Sequence, residues 1–203
     1  MKLFPAIAAS AAIVSLAACS AGPVEPPALT TDIWTVDSDG SELSYVTIKS
    51  GDIAETNSFE TVTGSVAQNG AATIEIDLSS VSTGVDIRDE RMREVLFVVA
   101  DNPTATVTAQ IDPAAFETLG VGDSVDQTVD GTVSIKGVEA PFQSEVTVTR
   151  VGADRVLAVS NAPIILDAGR FELTDGLAQL QELAGLPSIT PVVPVSFALA
   201  FER

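Results

Sequence analysis

Between Thr104 and Ile111 the chain alternates strictly: Ala105, Val107, Ala109 and Ile111 are apolar, while Thr104, Thr106, Thr108 and Gln110 are polar. A period of two is that of a strand with one buried face. Val146 and Val148 alternate with Glu145, Thr147 and Thr149 in the same way, and Val193, Val195, Phe197, Leu199 and Phe201 do so near the C-terminus. Short β-branched runs bounded by Gly, Asp, Asn and Pro predict further strands over Ile33–Val36, Glu42–Lys49, Phe59–Val66, Thr73–Leu78, Gln127–Ile135 and Arg155–Ile165. Turn signals about every ten residues favour an antiparallel barrel or sandwich over alternating β/α units. Two segments depart from the pattern. Arg88–Phe97 places Met92, Leu96 and Phe97 on one side, and Thr174–Ala184 sets Leu177, Leu180, Leu183 and Ala184 at helical spacing before Gly185 and Pro187. Both predict short helices packed as lids or plugs on the sheet.

The N-terminus reads differently. Met1–Ala18 has one early cation, Lys2, and then a run of small apolar residues too short and too rich in Ala and Ser for a membrane-spanning helix. This is the layout of a secretory signal peptide. Leu16-Ala17-Ala18-Cys19 resembles a bacterial lipobox, in which the Cys is lipidated and becomes the first mature residue; an ordinary cleavage site beside a spare thiol is the alternative. In the lipoproteins that this start resembles, Asp after the Cys favours inner-membrane retention, and Ser20 stands there instead. The expectation is a lipid anchor in the outer membrane, facing the periplasm. Gly22–Pro27 is Pro-rich and polar, a spacer rather than a packed element. The expected organisation is a signal peptide over 1–18, a lipidated Cys19 and tether over 19–31, and one β domain over 32–203.

Charge and composition narrow the chemistry. The 203 residues carry 10 Lys+Arg against 28 Asp+Glu, a net charge of −18, and no His. Without His there is no imidazole-based nucleophile system and no His metal site, and the single Cys cannot close a zinc cluster. So acidic a surface repels nucleic acid and anionic lipid headgroups. Aromatics at 5% are too few for the two girdles of a transmembrane barrel. Asp37-Ser38-Asp39-Gly40 begins like a calcium loop, but Ile48 stands where the bidentate Glu belongs, so a hairpin turn is expected there. Gly122-Asp123-Ser124 has no base to activate the Ser and reads as a loop before a strand. Gly120-Val121-Gly122 lacks the third Gly of a dinucleotide site. The pattern points to no enzyme, no cofactor and no metal.

Several stretches, taken in order, resemble the YceI-like family of bacterial lipid- and polyisoprenoid-binding proteins. Trp34-Thr35-Val36-Asp37 with Ser41–Tyr45 resembles the family's opening W-x-V-D…S-x-[LV]-x-[FY] hairpin, and Phe59–Gly64 its F-x-x-[FVL]-x-G strand. Ile76–Gly84 followed by Arg88–Arg93 resembles the I-D-x-x-S-[VI]-x-T…R-D-x-x-[LM]-[RK] block. Asn102–Ala105 is similar to the P-x-[AI] strand entry, and Val133–Pro141 to the T-I-[KH]-G-V-x-x-P signature. Three places depart from the pattern: Arg91 replaces a usual His, Phe171-Glu172-Leu173 replaces F-G-[LVI], and Asp175–Pro194 is longer than the usual loop.

The resemblance implies a lipocalin-like extended antiparallel β-barrel whose lumen holds a long apolar chain: an isoprenoid, a quinone tail or a fatty amide. The expected lumen residues are Tyr45, Phe59, Val107, Phe142, Val195, Phe197 and Phe201, with Phe97 and Leu177 near a mouth. Arg88, Arg91 and Arg93 are the one local excess of cations; they either line the mouth and hold a polar headgroup or pair with neighbouring acids on a solvated helix face. The net charge favours a neutral quinone or amide head over a pyrophosphate. Small residues such as Ala105, Ala109, Ala198 and Ala200 lining a tube would mark a binder. Large Phe side chains filling it would mark an envelope stress or scaffold lipoprotein working through protein partners. Homodimerisation is left open.

Overall fold

The computed structural model describes residues 28–203. The signal peptide, the lipobox with Cys19 and most of the Pro-rich tether lie outside the described residues. The strands are β1 (Trp34–Lys49), β2 (Ile53–Phe59), β3 (Val62–Val66), β4 (Ala71–Asp77), β5 (Val81–Ser82), β6 (Thr104–Gln110), β7 (Ser124–Ile135), β8 (Val138–Gly152), β9 (Arg155–Ser160), β10 (Ile164–Asp167) and β11 (Val192–Glu202). They run in the order β10-β11-β9-β8-β7-β6-β4-β3-β1-β2-β5, and β11 also pairs with β1, from Thr35 opposite Glu202 to Tyr45 opposite Val195. That pairing closes eight strands into an antiparallel barrel. Beyond the closed ring, β2 extends β1 and carries β5, while β10 extends β11.

Local chemistry sets the turns. Lys136 (φ 53°) and Gly137 (φ 77°) join β7 to β8 as a two-residue hairpin with both central residues left-handed, the geometry that matches strand twist. Gly64 (φ 140°) lets β3 cross close over β4: a Cβ there would meet Ile74 Cα at 2.8 Å. The expected turn at Asp37–Gly40 is corrected. β1 runs unbroken from Trp34 to Lys49, and the segment is a bulge where the register against β11 shifts between Asp37 and Glu42. The Ser41 hydroxyl donates to Asp37 O (2.6 Å) and accepts from Ala200 N (3.0 Å), bridging the interrupted ladder. Arg155 pairs with Asp37 at 2.7 Å and holds its carboxyl below the usual range.

Two expected strands divide where the chain changes partners. Phe59–Val66 breaks at Glu60–Thr61, between β2 on β1 and β3 on β4; Arg155–Ile165 breaks after Ser160, before Pro163, which has no N–H for a ladder. Helix α1 (Asp86–Arg91) widens into a π-helical turn over Met92–Phe97 that ends on left-handed Val98. Helix α2 (Thr174–Ala184) ends on Gly185, φ 62°. Gly176 brings α2 against that turn, since a Cβ there would lie 3.0 Å from Val95 O. Glu172, in the departure from F-G-[LVI], is itself left-handed at φ 55°.

The two ends of the barrel differ. At one end, α1, the π-helical turn and α2 pack beside the β1–β2 hairpin, tied to it by Arg88 and Tyr45. At the other, Leu29 is buried as a floor: Trp34 Nε1 donates to Leu29 O at 2.6 Å, Gln68 Nε2 to Thr31 O at 2.5 Å, and Arg203 Nη1 to Ala28 O at 3.1 Å while its guanidinium lies 5.0 Å from the Trp34 ring. The folded unit therefore includes Ala28–Thr31, which composition assigns to the tether.

Candidate functional site

The inner faces of the strands enclose a cavity of about 610 Å³ that runs from Leu29 and Gly70 at the floor to Arg91 and Ala184 at the helical end. Its wall follows from the period of two. On β6 every second residue from Ala105 to Ile111 faces inward, as do Phe142, Val146 and Val148 on β8, and Val193 to Phe201 at alternate positions on β11. The volume is that of a small-molecule pocket, and its shape is that of a tube. Among the described residues, no three His, Cys, Asp or Glu side chains group as metal ligands.

Each of the nine expected lumen residues lines this tube: Tyr45 and Phe59 from the β1–β2 hairpin, Phe97 and Leu177 from the helical cap, Val107 from β6, Phe142 from β8, and Val195, Phe197 and Phe201 from β11. Phe142 lies over Gly131, where a Cβ would come within 2.7 Å of its ring and of Thr108 O. Tyr45, Phe59 and Phe97 form one aromatic cluster, with ring centroids 5.4 Å and 5.9 Å apart. Of the small residues whose lining of the tube would mark a binder, Ala105 and Ala109 leave room on the wall, whereas Ala198 and Ala200 fall between the inward positions of β11 and face the other way.

The hairpin wall changes character toward the mouth. Cross-strand pairs run from Leu43–Phe59 through Tyr45–Asn57 and Thr47–Glu55 to Lys49–Ile53, from apolar to charged. Glu55 accepts from Lys49 Nζ at 2.8 Å and from Arg88 Nη1 at 2.6 Å, and the Lys49 bond above all, with Arg88 beside it, holds its carboxyl below the usual range against the opposing effect of burial. Arg88 also donates from Nε to Thr83 Oγ1 (2.8 Å) and from Nη2 to Thr83 O (2.6 Å), and Asp89 takes the Thr83 N–H at 3.0 Å. Arg88 is therefore a clamp between α1 and the hairpin, paired with an acid from β2 rather than with its helix neighbours.

Arg91 reaches the mouth and donates to Leu183 O at 3.2 Å, while Arg93 does not line the cavity. Burial, with a contribution from Asp89, pushes the Tyr45 phenol well above its ordinary range, so it is neutral, and among the described residues its hydroxyl has only Met92 Sδ as a partner, at 3.7 Å. Thr47, Lys49, Glu55, Asn57 and Met92 are lining residues that the sequence reading did not assign. The signal was present for the first four, because they alternate along two strands joined by Ser50–Asp52, but Ile-Ala-Glu-Thr-Asn-Ser-Phe is too polar to read as a strand alone.

A family model for the YceI-like domain matches residues 34–201. The chain belongs to the YceI-like family. Among solved structures it is similar to a polyisoprenoid binding domain from Saccharophagus degradans implicated in plant cell wall breakdown, at 35% identity and a TM-score of 0.81, covering 84% of this chain and 98% of that one. BcnA from Burkholderia cenocepacia has the same fold at 20% identity and a TM-score of 0.62, covering 81% of this chain and 98% of that one. Curated protein sequences give no match. The YceI-like barrel is a binding fold, and lipid binding in general is the property its homologues support.

Proposed function

We propose that the protein holds one long-chain lipid, an isoprenoid, a quinone or a fatty amide, in the barrel lumen without chemistry, and stores or ferries it in the bacterial cell envelope. The carrying observation is the tube itself: about 610 Å³, walled mainly by alternating apolar side chains and floored by Leu29, with its charged lining residues, Lys49, Glu55, Arg88 and Arg91, at the helical end. The 35% identical relative is a polyisoprenoid binding domain, which supports the chain chemistry. About ten buried methylene equivalents would contribute roughly 8 kcal/mol before ordering costs. In this reading Cys19 is the lipid anchor and the protein faces the periplasm from the outer membrane.

Native mass spectrometry of the protein purified without detergent, followed by organic extraction, tests the proposal. A stoichiometric long-chain lipid is expected. Protein that arrives empty and refuses added ubiquinone and polyprenyl lipids would sink it. The anchor is tested separately, by an intact mass that includes a diacylglyceryl group and loses it in Cys19→Ser.

A further inference from the structure

Two buried polar groups interrupt the apolar wall just inside the mouth. Asn57 is 5% exposed; its Nδ2 donates to Thr47 Oγ1 at 3.1 Å and to Glu55 O at 3.3 Å, and its Oδ1 has no hydrogen-bond partner among the described residues. The Glu55 carbonyl can only accept, so it fixes which end of the amide is nitrogen. Tyr45 stands opposite Asn57 across the strand pair, 7% exposed, with a thioether as the only partner of its hydroxyl among the described residues. A buried acceptor without a donor is costly, and a thioether is a weak acceptor. One pair deeper, Leu43 and Phe59 are apolar; one pair further out, Glu55 is occupied by Lys49 and Arg88. A lipid whose tail lies down the tube brings its first polar atom to this level.

Resting on the lumen reading above, we infer that Asn57 and Tyr45 form the head-group subsite and that it takes an uncharged group able both to donate and to accept a hydrogen bond: the hydroxyl of a long-chain alcohol or the N–H and C=O of an amide. The donor satisfies Asn57 Oδ1 and the acceptor takes the Tyr45 hydroxyl from Met92. Oδ1 is sealed by its neighbours, and a tilt about the soft terminal torsion of Asn57 brings it to the ligand. A quinone carbonyl or an ether only accepts and leaves Oδ1 unpaired. A pyrophosphate meets the Glu55 carboxylate, with Lys49 and Arg88 already engaged by it.

The test holds the tail constant. Geranylgeraniol, its methyl ether and its pyrophosphate, with oleamide as the amide arm, are titrated calorimetrically from cyclodextrin into the delipidated protein. Geranylgeraniol is expected to bind about tenfold more tightly than its methyl ether, and the pyrophosphate more weakly than the alcohol. In Asn57→Leu the ether is expected to bind at least as well as before and the alcohol's advantage to vanish. Oleamide binding that also weakens in Asn57→Leu assigns the amide to the same subsite; oleamide binding indifferent to the substitution restricts the subsite to alcohols and overturns its amide half. Equal affinity for alcohol and ether in the unaltered protein, as a resident water on Oδ1 would give, overturns the inference even if Asn57→Leu does not fold. So does a preference for the pyrophosphate. If none of the four binds and ubiquinone does not either, the lumen reading itself fails; if ubiquinone alone binds, or if all four bind without preference, only the head-group assignment fails.

Discussion

Val107 sits on β6 between Ile74 of β4 and Val133 of β7, with its side chain on the wall of the tube. Val107→Trp should close the lumen at mid-height without breaking the barrel. Val107 lies four residues above Ile111, which lines the lower cavity. At about 3.3 Å per residue and a strand tilt near 40°, roughly 10 Å of tube lies below it, room for about half a dozen methylenes. Excluding these at about 0.8 kcal/mol each removes roughly 5 kcal/mol of binding energy, a loss of about three orders of magnitude in affinity. Titration with geranylgeraniol measures the loss, and urea unfolding measures the host. Because the indole enters empty space rather than packed atoms, unfolding free energy is expected to stay within about 1 kcal/mol of the parent, against the 1–3 kcal/mol or more typical of an overpacked core. Unchanged affinity would refute a chain in the lower tube. A stability loss of several kcal/mol would refute the open lumen and return the barrel to a filled one.

Four further substitutions test parts of the same structure. Gly64→Ala drives a Cβ into the β4 backbone at a positive φ, so urea unfolding should show a loss of about 2–4 kcal/mol. Glu172→Gly relieves a left-handed side-chain-bearing residue and should raise the urea midpoint by the equivalent of about 0.5 kcal/mol, the strain relieved exceeding the added freedom of the unfolded chain. Tyr45 is the single Tyr, and its raised pKa means that the unfolded chain loses the phenol proton first: stability falls as pH rises above about 10, tyrosinate absorbance appears with unfolding rather than before it, and Tyr45→Phe removes that part of the alkaline slope. Glu55 has the opposite sign. Its lowered pKa gives a contribution complete above the ordinary carboxylate range and lost as pH falls through the lowered folded value, so the acid limb of thermal stability should flatten in Glu55→Gln.

Where period two was strong, as on β6 and β11, the sequence alone predicts both the strand and its inward face, and the inward residues are the cavity wall. Where contacts distant in sequence decide the geometry, local pattern misleads. Asp37–Gly40 has the composition of a turn, yet it stays within β1 because Ser41 bridges to Ala200 and Arg155, 118 residues on, takes Asp37. Arg88 reads either as a head-group cation or as paired with acids of its own helix, and the partner that occupies it, Glu55, lies 33 residues back on β2, a strand that was not predicted. The reason for that omission bears on function. A strand that lines the floor and middle of a lipid tube alternates cleanly, because one face is wholly apolar; a strand that lines its mouth must turn polar on the inward face too, where the tail ends and the head begins. Ile53–Phe59 breaks the alternation with Glu55 and Asn57 at inward positions, and these positions carry the charge clamp and the amide oxygen that has no partner among the described residues. On the proposed reading, the loss of pattern along β2 and the location of the head-group subsite have the same physical cause, so an interrupted strand beside a well-patterned one is itself a marker of the mouth.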